Sequence, residues 1–147
     1  MRIWVDADAC PKMIKEILFR AAIRTATQVI LVANQPLQTP LSPYIKKILV
    51  ASGFDVADHR IVQEMATGDL VITGDIILAD AVVTKGGLAL NPRGDLYTAE
   101  NIKQCLAMRN LMGELRDSGM VSGGPQKLST KESTAFAKHL DTLLAKI

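Results

Sequence analysis

Aspartates carry the chemistry of this chain. Asp6 and Asp8 stand one residue apart at the end of the apolar run Ile3-Trp4-Val5. Two carboxylates that close repel each other, so they call for a cation or a shared proton. With oxygen as the only ligand atom, the fitting cations are hard ones, Mg²⁺ or Mn²⁺. Asp75 ends a second apolar run, Leu70-Val71-Ile72-Thr73-Gly74, and Asp58 opens a helical stretch. Asp6, Asp8, Asp58 and Asp75 are therefore the candidate catalytic residues and metal ligands. Asp55, Asp69 and Asp80 lie outside the set. Asn34 and Thr73 are placed to fix a water or a phosphate oxygen. Arg93, Arg109 and Arg116 are the candidates for gripping a phosphate backbone. The plainer alternative is that the aspartates cap helices.

The positioning elements follow from the apolar pattern. Ile3 to Val5 suits a strand covered on both faces, and Pro11 suits the first position of a helix, where a missing N–H costs nothing. Ile14, Ile17, Leu18, Ala21 and Ala22 recur at helical spacing. Val29 to Ala33 is a second buried strand, ending at Asn34. Gln35 to Pro43 holds three prolines and reads as a connecting loop. Tyr44, Ile45, Ile48 and Leu49 predict a short helix closed by Gly53. Phe54 to Asp58 predicts a very short strand passing into a helix that runs to about Ala66, with Asp55 or Asp58 as its cap. Gly68 to Asp75 is the clearest strand-to-helix unit, followed by a helix over Ile76 to Val83 and a fifth strand, Leu88-Ala89-Leu90. Such alternation implies a parallel sheet with helices on both faces. In a doubly wound sheet of order 3-2-1-4-5, the first and fourth strands are neighbours at the crevice where such folds bind ligands. After the turn Asn91 to Asp95, Thr98 is placed to cap a long helix from about Ala99 to Ser118. Gly123-Gly124-Pro125 breaks the chain, and Ser129 with Glu132 forms a capping box for a terminal helix carrying Phe136, Leu140, Leu143, Leu144 and Ile147.

Composition bounds the rest. The 147 residues suit one domain, residues 1–147, with a sheet core to about residue 92 and a C-terminal helical appendage from about residue 98 packed on it. A net charge of +2 does not by itself argue for nucleic acid, and aromatics at 4% leave no cluster for base stacking. No run is long enough to cross a bilayer, and Asp6 interrupts any signal-peptide core, so a cytoplasmic location with reduced Cys10 and Cys105 is expected. Cys10 is most simply a small buried residue, and His59 and His139 lack zinc-ligand spacing.

Five motifs occur in order: Asp6-Ala7-Asp8-Ala9-Cys10-Pro11, Asp55-Val56-Ala57-Asp58, Gly68 to Asp75, Asn91-Pro92-Arg93-Gly94 and Gly123-Gly124-Pro125. Together they resemble the YaiI/YqxD family of uncharacterised bacterial proteins over essentially the whole chain. That family is similar to PIN and NYN nuclease domains, which cleave RNA using Mg²⁺ or Mn²⁺ held by aspartates. The resemblance implies a three-layer, PIN-like (Rossmann-like) α/β fold, with Asp6, Asp58 and Asp75 matching the PIN acids and RNA as the partner. These motifs do not place the mid-chain glutamate of many PIN domains. Two other readings stay open. One is a phosphatase of the haloacid-dehalogenase type, with Asp6 as nucleophile, Asp8 as acid/base, and Gly74-Asp75 with Asp80 as a later motif. The other is a non-catalytic nucleic-acid-binding or regulatory module that keeps the acidic pocket.

Overall fold

The computed structural model describes residues 1–53, 55–117 and 130–145, and of these the side chains of 109, 110 and 112–117 are left aside. The elements are β1 (Ile3–Asp6), a single 3-10 turn (Ala7–Ala9), α1 (Lys12–Thr25), β2 (Val29–Ala33), β3 (Ile45–Leu49), α2 (Val56–Glu64), β4 (Leu70–Ile72), α3 (Ile76–Thr84), β5 (Leu88–Leu90), β6 (Leu96–Tyr97), α4 (Ile102–Asp117) and α5 (Thr130–Leu144). The sheet order is β3-β2-β1-β4-β5-β6. All pairings are parallel except β5 with β6.

The alternation of side chains along each strand divides the core in two. Ile3, Val5, Leu31 and Ile72 face α1 and α5, against Ile14, Leu18, Phe136 and Leu140. Trp4, Ile30, Val32 and Val71 face the other way, against Ile61 of α2, Leu78 and Val82 of α3 and Ile102 of α4. Central parallel strands covered on both faces need apolar residues at every position, and all five residues of β2 are buried. The C-terminal helices belong to different layers, α5 against α1 and α4 against α3.

The third strand is not where the sequence pattern puts it. The expected helix at 44–49 is β3, paired with β2 in the register Val29↔Ile45, and the helix begins at Val56 with no strand among the described residues between β3 and it; Phe54 lies outside them. The reason is position at the sheet edge. β3 buries one end only, in the order Ile45 buried, Lys46 and Lys47 exposed. Two adjacent lysines guard the free edge and erase the alternation that marks a strand. Two residues of β6 carry no periodicity either. Asn91 N–H donates to Asp95 O and Gly94 N–H to Asn91 O, both at 2.8 Å, closing the turn that brings β6 back beside β5.

Helix ends differ by small steps. Pro11 sits just before α1, and its carbonyl accepts from Ile14 and Lys15 N–H at 3.1 Å. Thr98 and Asn101 exchange side-chain-to-backbone bonds, Asn101 Oδ1 accepting from Thr98 N–H at 2.8 Å, so α4 starts at Ile102 and not at Ala99. The predicted box at Ser129 and the break at Gly123-Gly124-Pro125 lie outside the described residues, as do Ser118 and Ile147. Among the described residues, no helix is long and apolar enough to cross a membrane.

Candidate metal centre at the carboxyl edge of the sheet

Three chain segments meet where β1 and β4 end. β1 runs out at Asp6. β4 runs into Thr73-Gly74-Asp75 and then α3. The segment after β3 turns through Asp55 into α2. Carboxylate oxygens of Asp55, Asp58 and Asp75 lie within 4.8 Å of one another. Asp6 stands beside them, close enough that its charge raises the Asp58 carboxyl and that the Asp75 charge raises its own.

Local structure explains each placement. Asp75 is the N-cap of α3, where its Oδ1 accepts from Ile77 N–H at 2.9 Å and Leu78 N–H at 3.4 Å. The plain capping alternative therefore holds for Asp75, but it uses one oxygen and leaves the other for the cluster. Thr73 is buried. Its hydroxyl accepts from Asp75 N–H at 3.0 Å and hydrogen-bonds the Asp6 carboxylate, so it spaces the two acids. Asp55 occupies the N-cap position of α2 in a left-handed conformation, φ 61, and its side chain makes no capping bond. Aspartate tolerates that conformation better than most residues. Asp58 falls in the first turn of α2 and does not cap it either.

The electrostatics record the crowding. Burial first, then the charges of Asp6, Asp75 and Asp55 and a hydrogen bond with Asp75, push the Asp58 carboxyl up from 3.8 to about 7. Burial, with Asp8 and Asp75, also raises Asp6, and the Thr73 hydroxyl lowers it in part. A set of carboxylates this costly to ionise together is the donor chemistry of a hard divalent cation. Asp55, Asp58 and Asp75 offer the ligand atoms, with Asp6 at their margin.

The remaining sequence candidates separate. Asp8 is exposed, and its Oδ2 accepts from Asn34 N–H at 2.8 Å, which ties the end of β1 to the end of β2. Asp8 acts on the cluster through the charge it presents to Asp6, and it is not one of the three converging acids. Arg93 is paired with Glu132 at 2.5 Å. The side chains of Arg109 and Arg116 are outside the described residues. Asp80 lies within α3, apart from the converging acids.

Asp55 is the converging acid that the sequence pattern left outside the candidate set. Its signal was present: two acids three residues apart at a helix start, where one cap cannot account for both. Asp69, at the opposite end of β4, is structural. It accepts from Arg2 N–H, Trp4 Nε1–H and Ala66 N–H at 3.0–3.1 Å, with the Arg2 guanidinium at 3.2 Å. Cys10 is buried, and desolvation pushes its thiol up to about 12, the reverse of the activation a helix start can give. His139 Nδ1 contacts Gly94 O, anchoring α5 to the β5–β6 turn.

The cluster opens into a cavity of about 280 Å³ between α2 and α3, walled by His59, Val62 and Ala81 as well as by the acids. Curated relatives span the whole chain without a named activity. A UPF0178 protein of Shewanella amazonensis is 60% identical over 147 residues, covering 100% of this chain and 99% of the relative. UPF0178 proteins of Legionella pneumophila and Thioalkalivibrio sulfidiphilus are 60% and 59% identical over 146 residues, at 99% coverage of both partners. No solved structure matches the chain. The family model described as "Uncharacterized BCR, YaiI/YqxD family" matches residues 4–146, and the chain belongs to that family.

Proposed function

We propose that this chain is a divalent-metal-dependent hydrolase of phosphodiesters, with RNA as its substrate. The convergence of Asp55, Asp58 and Asp75 oxygens within 4.8 Å, with Asp6 beside them, carries the reading. These are three acids from the starts of two different helices, and nothing about capping or solubility requires those two helix starts to meet. Asp55, Asp58 and Asp75 would hold Mg²⁺ or Mn²⁺. Such an ion, when bound, lowers the pKa of a coordinated water and offsets charge on a phosphate under in-line attack. Hydrolysis joins a water oxygen to phosphorus and breaks the ester P–O bond. The water's proton needs an acceptor, and Asp6, held by Thr73, is the carboxylate next to the group. The likeness of the motifs to PIN domains agrees with this chemistry. The phosphatase alternative is less well served, because Asp80 is apart from the cluster and α1 follows the first aspartates almost at once.

The test is Mn²⁺ titration by calorimetry together with a single-stranded RNA cleavage assay. Saturable Mn²⁺ binding and metal-dependent cleavage, both lost in Asp58→Asn and the second lost in Asp6→Asn, are the expected results. RNA binding without cleavage would establish the non-catalytic module instead, and a beryllofluoride adduct on Asp6 the phosphatase.

A further inference from the structure

The connection from β2 to β3 is the one parallel crossover of this sheet with no helix, and residues 34–44 make it as a proline-rich strap. Elsewhere a helix seals the face between adjacent parallel strands. Here the strap packs onto the core through Leu37 and Tyr44. Lys47 Nζ donates to Leu37 O at 3.0 Å and pins the strap from the sheet edge. Between the strap and α1 a cavity of about 590 Å³ remains, floored by Leu31 and Leu37. Its α1 wall carries Lys12, Lys15 and Phe19 at three- and four-residue spacing, with Glu16 beside Lys15, so the wall bears two cations and one carboxylate. Gln38, Thr39 and Pro40 of the strap form the opposite wall. Among the described residues neither lysine makes an ion pair. Along the chain the groove starts near the carboxyl end of β1: Lys12 follows Asp6 by six residues, and the strap begins at Asn34, whose N–H donates to Asp8.

We propose that the groove between α1 and residues 35–43 is the docking track for a single-stranded polyribonucleotide, with one base against Phe19 and adjoining phosphates on Lys12 and Lys15. It rests on the phosphodiester reading above. The size fits, since pockets for nucleotide-sized ligands run to some 300–1,000 Å³. The charge fits as well: cations beside an apolar, aromatic-lined slot complement a strand that alternates anionic phosphates with flat bases. Gln38 and Thr39 supply hydrogen-bonding groups at the rim.

Fluorescence anisotropy of a labelled oligouridine, in EDTA so that no cleavage contributes, tests it. In Lys12→Glu/Lys15→Glu, affinity should fall at least about tenfold, and the slope of log affinity against log salt should flatten by about 1.4, at ~0.7 per lost phosphate contact on a single strand. Phe19→Leu keeps an apolar side chain on the core and removes the stacking face. It should weaken binding about fivefold or more and leave the salt slope unchanged. Circular dichroism confirms that each variant is folded. An unchanged salt slope in the folded double variant would overturn the proposal, as would failure of the wild type to bind any single strand, which would leave the groove to a protein partner. Cleavage that persists without Lys12 and Lys15 would keep the hydrolase and remove the track; groove-dependent binding by a protein that never cleaves would do the reverse.

Discussion

Replacing Asp58 by asparagine should stabilise the metal-free protein at neutral to alkaline pH. In the folded chain the Asp58 carboxyl is pushed from 3.8 to about 7 by burial and by Asp6, Asp75 and Asp55. A group whose folded-state pKa is raised contributes stability that is fully present below its unfolded value, near 3.8, and is lost as pH climbs through about 7. A rise of that size is worth ~4 kcal/mol for a carboxylate sealed from water. Asp58 is only half-buried, and solvent screening reduces the figure to about 1–2 kcal/mol. Asparagine keeps the shape and can still donate to Asp75, but it carries no charge. Asp58→Asn should therefore melt about 2–8 °C above the wild type at pH 8 in EDTA. The difference should shrink steadily as pH falls from 7 towards 4. Adding Mn²⁺ should invert the order, because the cation then stabilises the wild type by mass action and finds one ligand fewer in the variant. Differential scanning calorimetry across pH, with and without Mn²⁺, reads all three effects. An Asp58→Asn protein that melts below the wild type in EDTA at pH 8 would refute the electrostatic account of the site.

Asp75 has two separable roles, a helix cap and a cluster acid. Asp75→Ala should lose about 1 kcal/mol of stability by thermal melting, Asp75→Asn almost none, and both should lose Mn²⁺ affinity by calorimetry. Asp69 should behave in the opposite way to Asp58. Burial raises it, but the bonds from Ala66, Trp4 and Arg2 outweigh burial and leave it lowered. Its contribution is present above the unfolded value near 3.8 and is lost as pH falls through the lower folded value. Asp69→Ala should cost about 2–4 kcal/mol in urea denaturation at pH 7, by stranding buried donors, without changing Mn²⁺ binding. Cys10, with its thiol pushed up to about 12, should resist alkylation in the native protein while the less buried Cys105 reacts, a contrast that peptide mass mapping would show.

How legible the fold was depended on where each element lies. β1, β2 and β4 are buried on both faces, so their sequences had to be unbroken apolar runs, and the sheet order 3-2-1-4-5 followed from their alternation with helices. α1 and α5 each offer one apolar stripe to the same face of the sheet, and their periodicity was equally plain. β3 and β6 were hidden because they are edges. An edge strand needs few apolar residues, and β3 puts Lys46 and Lys47 where an alternating pattern would have betrayed it. β6 is two residues long and exists only because the turn at 91–95 delivers it to β5.

The closeness of Asp6 and Asp75 was legible for a different reason. Asp6 and Asp75 follow strands that the fold forces to be neighbours, so their meeting could be foreseen from topology alone. Asp8 and Asp55 could not be ranked that way. Both sit in short turns where one dihedral angle decides which way a carboxylate faces. The 3-10 turn at Ala7–Ala9 carries Asp8 out towards Asn34 N–H. The left-handed backbone at Asp55 removes that residue from capping duty and sends its carboxylate to Asp58 and Asp75. Sequence spacing fixes which strand ends meet; local backbone geometry fixes which acids on those ends converge. An Asp55→Gly substitution separates the two levels. Glycine accepts φ 61 without strain, so fold and stability should hold while Mn²⁺ affinity falls by tenfold or more, about 1.4 kcal/mol. Unchanged Mn²⁺ affinity in a folded Asp55→Gly protein would mean that the cation sits between Asp6 and Asp75 without Asp55, and the ligand set would have to be redrawn around the strand ends alone.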